Sequence, residues 1–135
     1  MAIKQLSVFI ENKKGMLVEV TGALKEAGVD IRALSLAETD YYGILRLIVS
    51  DFDLALDAIG KTGRTVKINR VLGLRVDDRP GGLSEALELL NRADINVEYM
   101  YAFIGLDPGR ADVVIRVSDT DRAEALLRDS GLEVL

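Results

Sequence analysis

The chain repeats itself. Sliding the sequence by 66 positions lays Leu6, Gly15, Leu17, Glu19, Leu24 and Ala27 on Leu72, Gly81, Leu83, Glu85, Leu90 and Ala93. Two extra residues then enter the second repeat, and a shift of 68 lays Val49-Ser50-Asp51, Asp53, Ala55, Gly63 and Val66 on Val117-Ser118-Asp119, Asp121, Ala123, Gly131 and Val134. Most other aligned pairs are apolar on apolar or polar on polar. Each repeat is therefore one supersecondary unit, and an architecture assigned to the first must also serve the second. The expected division is 1–68 and 69–135, two units each too small to bury much core alone.

Periodicity supplies the elements. Ile3, Leu6, Val8 and Ile10 nearly alternate, which predicts a strand over 3–10. Leu17, Val20, Leu24 and Ala27 recur every three or four residues, one stripe of a helix that Gly28 ends. A hairpin follows, with strands over 29–36 and 44–49 about a polar-aromatic tip from Glu38 to Gly43. Asp51 or Asp53 caps a second helix carrying Leu54, Ala55, Ala58 and Ile59 on one face, and a last strand over 65–68 closes the unit. The second repeat gives a strand over 71–76, a helix over 82–93, strands over 97–104 and 111–117, a helix over 121–129 and a strand over 132–135. Asn69 and Arg70 are the only residues that read as a connection, and Asp107-Pro108-Gly109-Arg110 reads as a turn. The order strand-helix-strand-strand-helix-strand, twice, predicts an α+β protein of two ferredoxin-like βαββαβ units, antiparallel sheets with both helices on one face. The bare faces and edges of such sheets favour a pairing of the two units.

Composition removes whole classes of chemistry. With no Cys and no His, the chain has no thiolate or imidazole nucleophile, base or metal ligand, so no enzyme activity, cofactor or metal is expected. The net charge of -5 and the scattered basic residues argue against nucleic acid. No apolar run approaches the ~18 residues of a membrane helix, so no membrane partner is expected and the cytoplasm is the default location. Tyr41, Tyr42, Tyr99 and Tyr101 read as packing residues on half-buried strands.

Chemistry concentrates in the two strand-to-helix loops, Glu11-Asn12-Lys13-Lys14-Gly15-Met16-Leu17 and Asp77-Asp78-Arg79-Pro80-Gly81-Gly82-Leu83. A helix start exposes N–H groups and a positive dipole end, a natural carboxylate cradle. The alternative is plain capping by Asn12 and Asp78. With the strand starts Ala27-Gly28-Val29-Asp30-Ile31 and Ala93-Asp94-Ile95-Asn96-Val97, these loops resemble the ACT domain, a regulatory module of amino acid metabolism. The resemblance spans nearly the whole chain and implies binding, not catalysis. It places a small effector, often an amino acid, between paired modules, held by the loop and helix start of one and the strand start of the other.

Carried over residue by residue, the implied ligand-binding set is Glu11, Asn12, Lys13, Lys14, Gly15, Met16, Leu17 and Asp30 in the first repeat. In the second it is Asp77, Asp78, Arg79, Gly81, Gly82, Leu83 and Asn96. Reciprocal pairing combines Asn12 with Asn96, an amide pair suited to both ends of an amino acid, and Asp78 with Asp30, which repels a carboxylate. Lys14 stands where the family has proline, Asp94 where it has glycine, and Gly82 is expected to loosen its helix start. The expected function is a free-standing, non-catalytic sensor of an amino acid or related metabolite, acting as a homo-oligomer, a dimer above all, or on a metabolic enzyme. The alternative is a regulatory subunit of an amino acid metabolic enzyme that acts through protein contacts.

Overall fold

A computed structural model describes residues 2–105 and 107–135, leaving out Met1, the start of the expected first unit, and Leu106. The chain divides into two compact units, an N-terminal one of Lys4–Asn69 and a C-terminal one of Arg70–Leu135 joined by Ala2 and Ile3. In the first, β1 (Ile3–Glu11), α1 (Met16–Glu26), β2 (Ile31–Glu38), β3 (Tyr42–Val49) and α2 (Phe52–Gly60) lead into β4 (Val66–Asp77). In the second, the rest of β4 is followed by α3 (Gly82–Arg92), β5 (Val97–Ala102), β6 (Arg110–Val117), α4 (Thr120–Asp129) and β7 (Glu133–Val134). Both are the expected βαββαβ ferredoxin-like unit.

Register decides which residues become core. β3 runs antiparallel to both β1 and β2, with Leu6 opposite Leu47 and Val8 opposite Leu45. Those four side chains share one face, and there they meet Val20 and Leu24 of α1 and Ala55 and Ile59 of α2, all buried. Burying each large aliphatic group contributes about 1.5–3 kcal/mol before ordering entropy is subtracted. In the C-terminal unit, β6 runs antiparallel to β4 and β5, and Leu72, Leu74 and Ile115 meet Ala86 and Leu90 of α3 and Ala123 and Leu127 of α4. Helices lie on one face of each sheet because both helical stripes feed one cluster of same-parity strand residues.

The repeat persists in the backbone. Asp51 and Asp119 cap α2 and α4, accepting from Leu54 and Arg122 amides at 3.1 and 3.2 Å, so the cap is Asp51 rather than Asp53. Asp94 takes the left-handed conformation of its counterpart Gly28, φ 59° against 72°. Aspartate is among the few side chains that tolerate it.

Three expectations change. The strands expected over 65–68 and 71–76 are one strand of 12 residues, with Asn69 and Arg70 inside it. No Gly or Pro lies between Gly63 and Gly73 to break it. The polar groups that suggest a turn are satisfied along the strand: Ser7 Oγ donates to Asn69 Oδ1 at 2.7 Å, and Arg116 Nη1 donates to the Arg70 carbonyl at 2.6 Å. β5 stops at Ala102, where its register with β6 ends at Val113. Tyr41 and Tyr42 stand exposed at the hairpin tip rather than packed. The turn after Asp107 forms as expected, closed by the Arg110 amide on the Asp107 carbonyl at 3.0 Å.

Candidate functional site

The loop after β1 ends in Gly15, which enters α1 in the left-handed conformation at φ 89° with no side chain capping the helix. Asn12 therefore does not cap. Its backbone amide donates to the Tyr41 carbonyl at 2.9 Å, and its Nδ2 donates to the Thr39 carbonyl at 3.2 Å and to Glu38 Oε2 at 3.4 Å. One side chain thus ties the loop to the tip of the β2–β3 hairpin. The first helical bond runs from Glu19 N–H to the Gly15 carbonyl at 3.2 Å, leaving the Leu17 and Val18 amides as the open donors of the helix start.

Between loop and hairpin lies a groove of about 330 Å³ lined by Ile10, Glu11, Asn12, Lys13, Leu17, Leu36, Glu38 and Gly43. Ile10 faces Gly43 in register, and the absence of a side chain there lets Leu36 and Ile10 settle over the glycine. A Cβ there would come within 3.2 Å of Leu36 Cδ1 and 3.5 Å of Ile10 Cγ1. The rim is charged, with Lys13 Nζ 3.0 Å from Glu11 Oε2 and Glu38 on the hairpin side.

Four of the residues expected in the first site therefore converge on this groove: Glu11, Asn12, Lys13 and Leu17. Gly15 shapes the entry to the helix, and Lys14 is exposed on the loop. Met16 turns the other way, its sulfur accepting from Arg64 Nη2 at 3.5 Å. Arg64 Nη1 also donates to Glu19 Oε1 at 2.9 Å, and this hydrogen bond and its charge hold the Glu19 carboxyl below the usual carboxylate range. Arg64 pins the first turn of α1 from 45 residues away. Asp30 stands elsewhere. β1 and β2 are both antiparallel to β3 and hence parallel to each other, so Asp30 before β2 and Asn12 after β1 lie at opposite ends of the sheet, roughly 25–30 Å apart for nine residues of strand.

The C-terminal loop repeats the backbone and changes the side chains. Gly81 enters α3 at φ 86°, again with no side-chain cap, and the Asp78 amide donates to the Gly109 carbonyl at 3.0 Å as Asn12 does to Tyr41. A carboxylate has no hydrogen to donate, so Asp78 cannot make the further ties that Asn12 makes. Asp78 lines a groove of about 370 Å³ with Phe103, Ile104, Asp107, Arg110 and Asp112. Asp77, Arg79 and Gly82 face a separate groove of about 350 Å³. Arg79 folds back on its own helix, Nη2 lying 3.0 and 2.8 Å from the two carboxylate oxygens of Glu85. Gly82 does not loosen the helix: its amide donates to the Arg79 carbonyl at 3.0 Å, and any Cβ would run into the Asp77 carbonyl oxygen. Leu83 packs on the core.

Two serines were not singled out. Asp30 N–H donates to Ser50 Oγ at 2.8 Å and Asn96 N–H to Ser118 Oγ at 3.1 Å, fixing both strand starts. Their signal was the repeated Val-Ser-Asp. Among the described residues no group of three or more acidic side chains is arranged to hold a metal ion, and no helix is long and apolar enough to cross a membrane.

Two βαββαβ units, each presenting a groove beside a glycine-led helix start, make a tandem pair of small ferredoxin-like modules. The sequence matches the ACT domain pair family over residues 1–135, and the chain belongs to that family. Protein BT0572 from Bacteroides thetaiotaomicron is 38% identical, with a TM-score of 0.94 over 100% of this chain and 92% of that one. The regulatory subunit of aspartate kinase from Thermus thermophilus shares the fold at 16% identity and a TM-score of 0.69, covering 93% of this chain and 87% of that one. Its counterpart from Thermus flavus does so at 18% and 0.66, covering 93% and 88%. No curated protein matches the sequence.

Proposed function

We propose that this ACT domain pair is a non-catalytic regulatory module whose effector, an amino acid or a close metabolite, binds in the N-terminal groove. The observation that carries the reading is the pairing, in one groove, of an apolar floor with a rim that suits a zwitterion. The open amides of Leu17 and Val18 and the Lys13 ammonium suit a carboxylate. Glu38 and Asn12 Oδ1 suit an ammonium, the Asn12 donors being held by the hairpin. Asp78 opposes a carboxylate at the equivalent position, so the C-terminal loop is the weaker amino acid site.

The strand-start residues stand at the far end of their own units from the loops, and we assign any contact they make with effector to a second copy of the chain. Regulation is the reading that the shared fold with aspartate kinase regulatory subunits supports. Isothermal titration of the chain with the twenty amino acids tests the proposal, the expected result being saturable binding that Asn12→Ala weakens. Absence of heat with every amino acid would end it. Sedimentation with and without the bound amino acid then reads whether occupancy changes association.

A further inference from the structure

The groove also constrains which amino acid fits. Its floor is made by Ile10, Leu17 and Leu36, and the latter two leave 37% and 49% of their surface in solvent. Large aliphatic groups exposed side by side in a concave site are covered favourably by an apolar ligand group, at about 25 cal/mol for each Å² removed from water. The rim points the same way by exclusion. Glu11 and Glu38 outnumber Lys13, and Lys13 is already 3.0 Å from Glu11. A second carboxylate on the ligand meets net negative charge.

Gly43 sets the depth. Leu36 Cδ1 and Ile10 Cγ1 lie only 3.2 and 3.5 Å from where its Cβ would sit, so the glycine lets both side chains settle low in the floor, and a methyl there would push Leu36 up into the groove. The aligned residue of the C-terminal unit is Ala111, and Leu36 aligns with Ala102, so the two units build different floors on one backbone plan.

Resting on the amino acid reading above, we propose that the N-terminal groove selects a monocarboxylic amino acid with an aliphatic side chain of valine or leucine size, and that Gly43 and Leu36 are its specificity-determining residues. The side chain lies on the floor that Ile10, Leu17 and Leu36 form above Gly43, with the charged end at the loop.

The test is isothermal titration of the full chain with glycine, alanine, valine, leucine, phenylalanine and aspartate, in the wild type, Gly43→Ala and Leu36→Ala. Gly43 has no left-handed φ, and its tightest neighbour is the end of a mobile side chain, so Gly43→Ala folds. Leu36 is half exposed and tolerates truncation. The wild type should bind valine or leucine tighter than glycine or aspartate by on the order of tenfold. Gly43→Ala should lower leucine affinity on the order of tenfold while leaving alanine within about twofold. Leu36→Ala should move the preference towards phenylalanine. Binding of amino acids without aliphatic preference, or a ranking that neither variant alters, overturns this inference and leaves the amino acid reading standing. No binding by any amino acid overturns both.

Discussion

The two units solve the same backbone problem with different side chains. Cross-strand positions show it best: Phe9 faces Ile44 between β1 and β3, and the aligned pair between β4 and β6 is Arg75 facing Asp112. The first is an apolar contact, with Lys67 Nζ 5.7 Å from the Phe9 ring centroid. The second is a forked ion pair, Arg75 Nε to Asp112 Oδ1 at 2.7 Å and Nη2 to Oδ2 at 2.8 Å, extended by Asp107 and Glu133 at 3.5 and 3.7 Å from Arg75. The loops diverge likewise. Met16 is held by a distant arginine where Gly82 is squeezed against the Asp77 carbonyl, and Asn12 ties down its hairpin through side-chain donors that the Asp78 carboxylate lacks. The two repeats keep Gly15 and Gly81 at the helix starts and the Asp51 and Asp119 caps, and differ at most of the side chains around the loops.

The sharpest way to break this comparison is at the helix starts. Gly82→Ala should destabilise by about 2–3 kcal/mol, the upper part of the range for forcing a methyl into a filled site, whereas Met16→Ala, at a half-buried position with room for a side chain, should cost less than half as much. Urea denaturation followed by circular dichroism measures both, and equal penalties would mean that the two loops are packed alike.

Next comes the paired position. Asp112→Asn should lower the melting temperature at neutral pH by roughly 4–8 °C for a unit of this size. The hydrogen bonds and charge of Arg75 hold the Asp112 carboxyl below the usual range. A depressed carboxylate stabilises the fold at pH values above its unfolded pKa, about 4, and that contribution fades as acid protonates it through the folded value. The gap between wild type and Asp112→Asn should therefore close below about pH 4. Ile44→Val, at the apolar counterpart, should shift the melting temperature by the same amount at pH 7 as at pH 3.

Exchange of loop chemistry tests the groove. Asn12→Asp converts the first loop to the second's residue, removes two hydrogen bonds to the hairpin and sets a carboxylate beside Glu38. Amide exchange at residues 39–42 should speed up, and amino acid affinity should fall on the order of tenfold, about what one charge-assisted contact contributes. Unchanged exchange at the tip would show that the backbone bond to Tyr41 alone holds it. The smallest effect is expected from Asp94→Gly, which gives the second repeat the first's residue at a left-handed position and should stabilise by about 0.5–1 kcal/mol in thermal unfolding.

Much of the fold was legible because it depends on short-range patterns. Leu17, Val20 and Leu24 mark a helical stripe wherever they occur, and Asp51 ahead of an apolar run marks a cap. The part of the site that was legible is its location, loop and helix start, twice. What Asn12 does there was not, because its partners Thr39 and Glu38 arrive with the hairpin, 27 and 26 residues on. Arg64 was invisible for the same reason. Gly82 was misread because a second glycine signals flexibility locally, and only the approach of the Asp77 carbonyl makes it obligatory. Asn69 and Arg70 read as a connection until Ser7, Arg116 and, from α4, Asp121 supplied partners for their polar groups.

By itself the sequence determined that this protein is a duplicated βαββαβ chain with two glycine-led loops, since periodicity, caps and breakers act over a few residues and recur at fixed shifts. Only the tertiary structure decided that the two loops are unequal in kind. Which side chain ties, blocks or opens a groove depends on atoms brought together from distant segments, and those distances are set by packing.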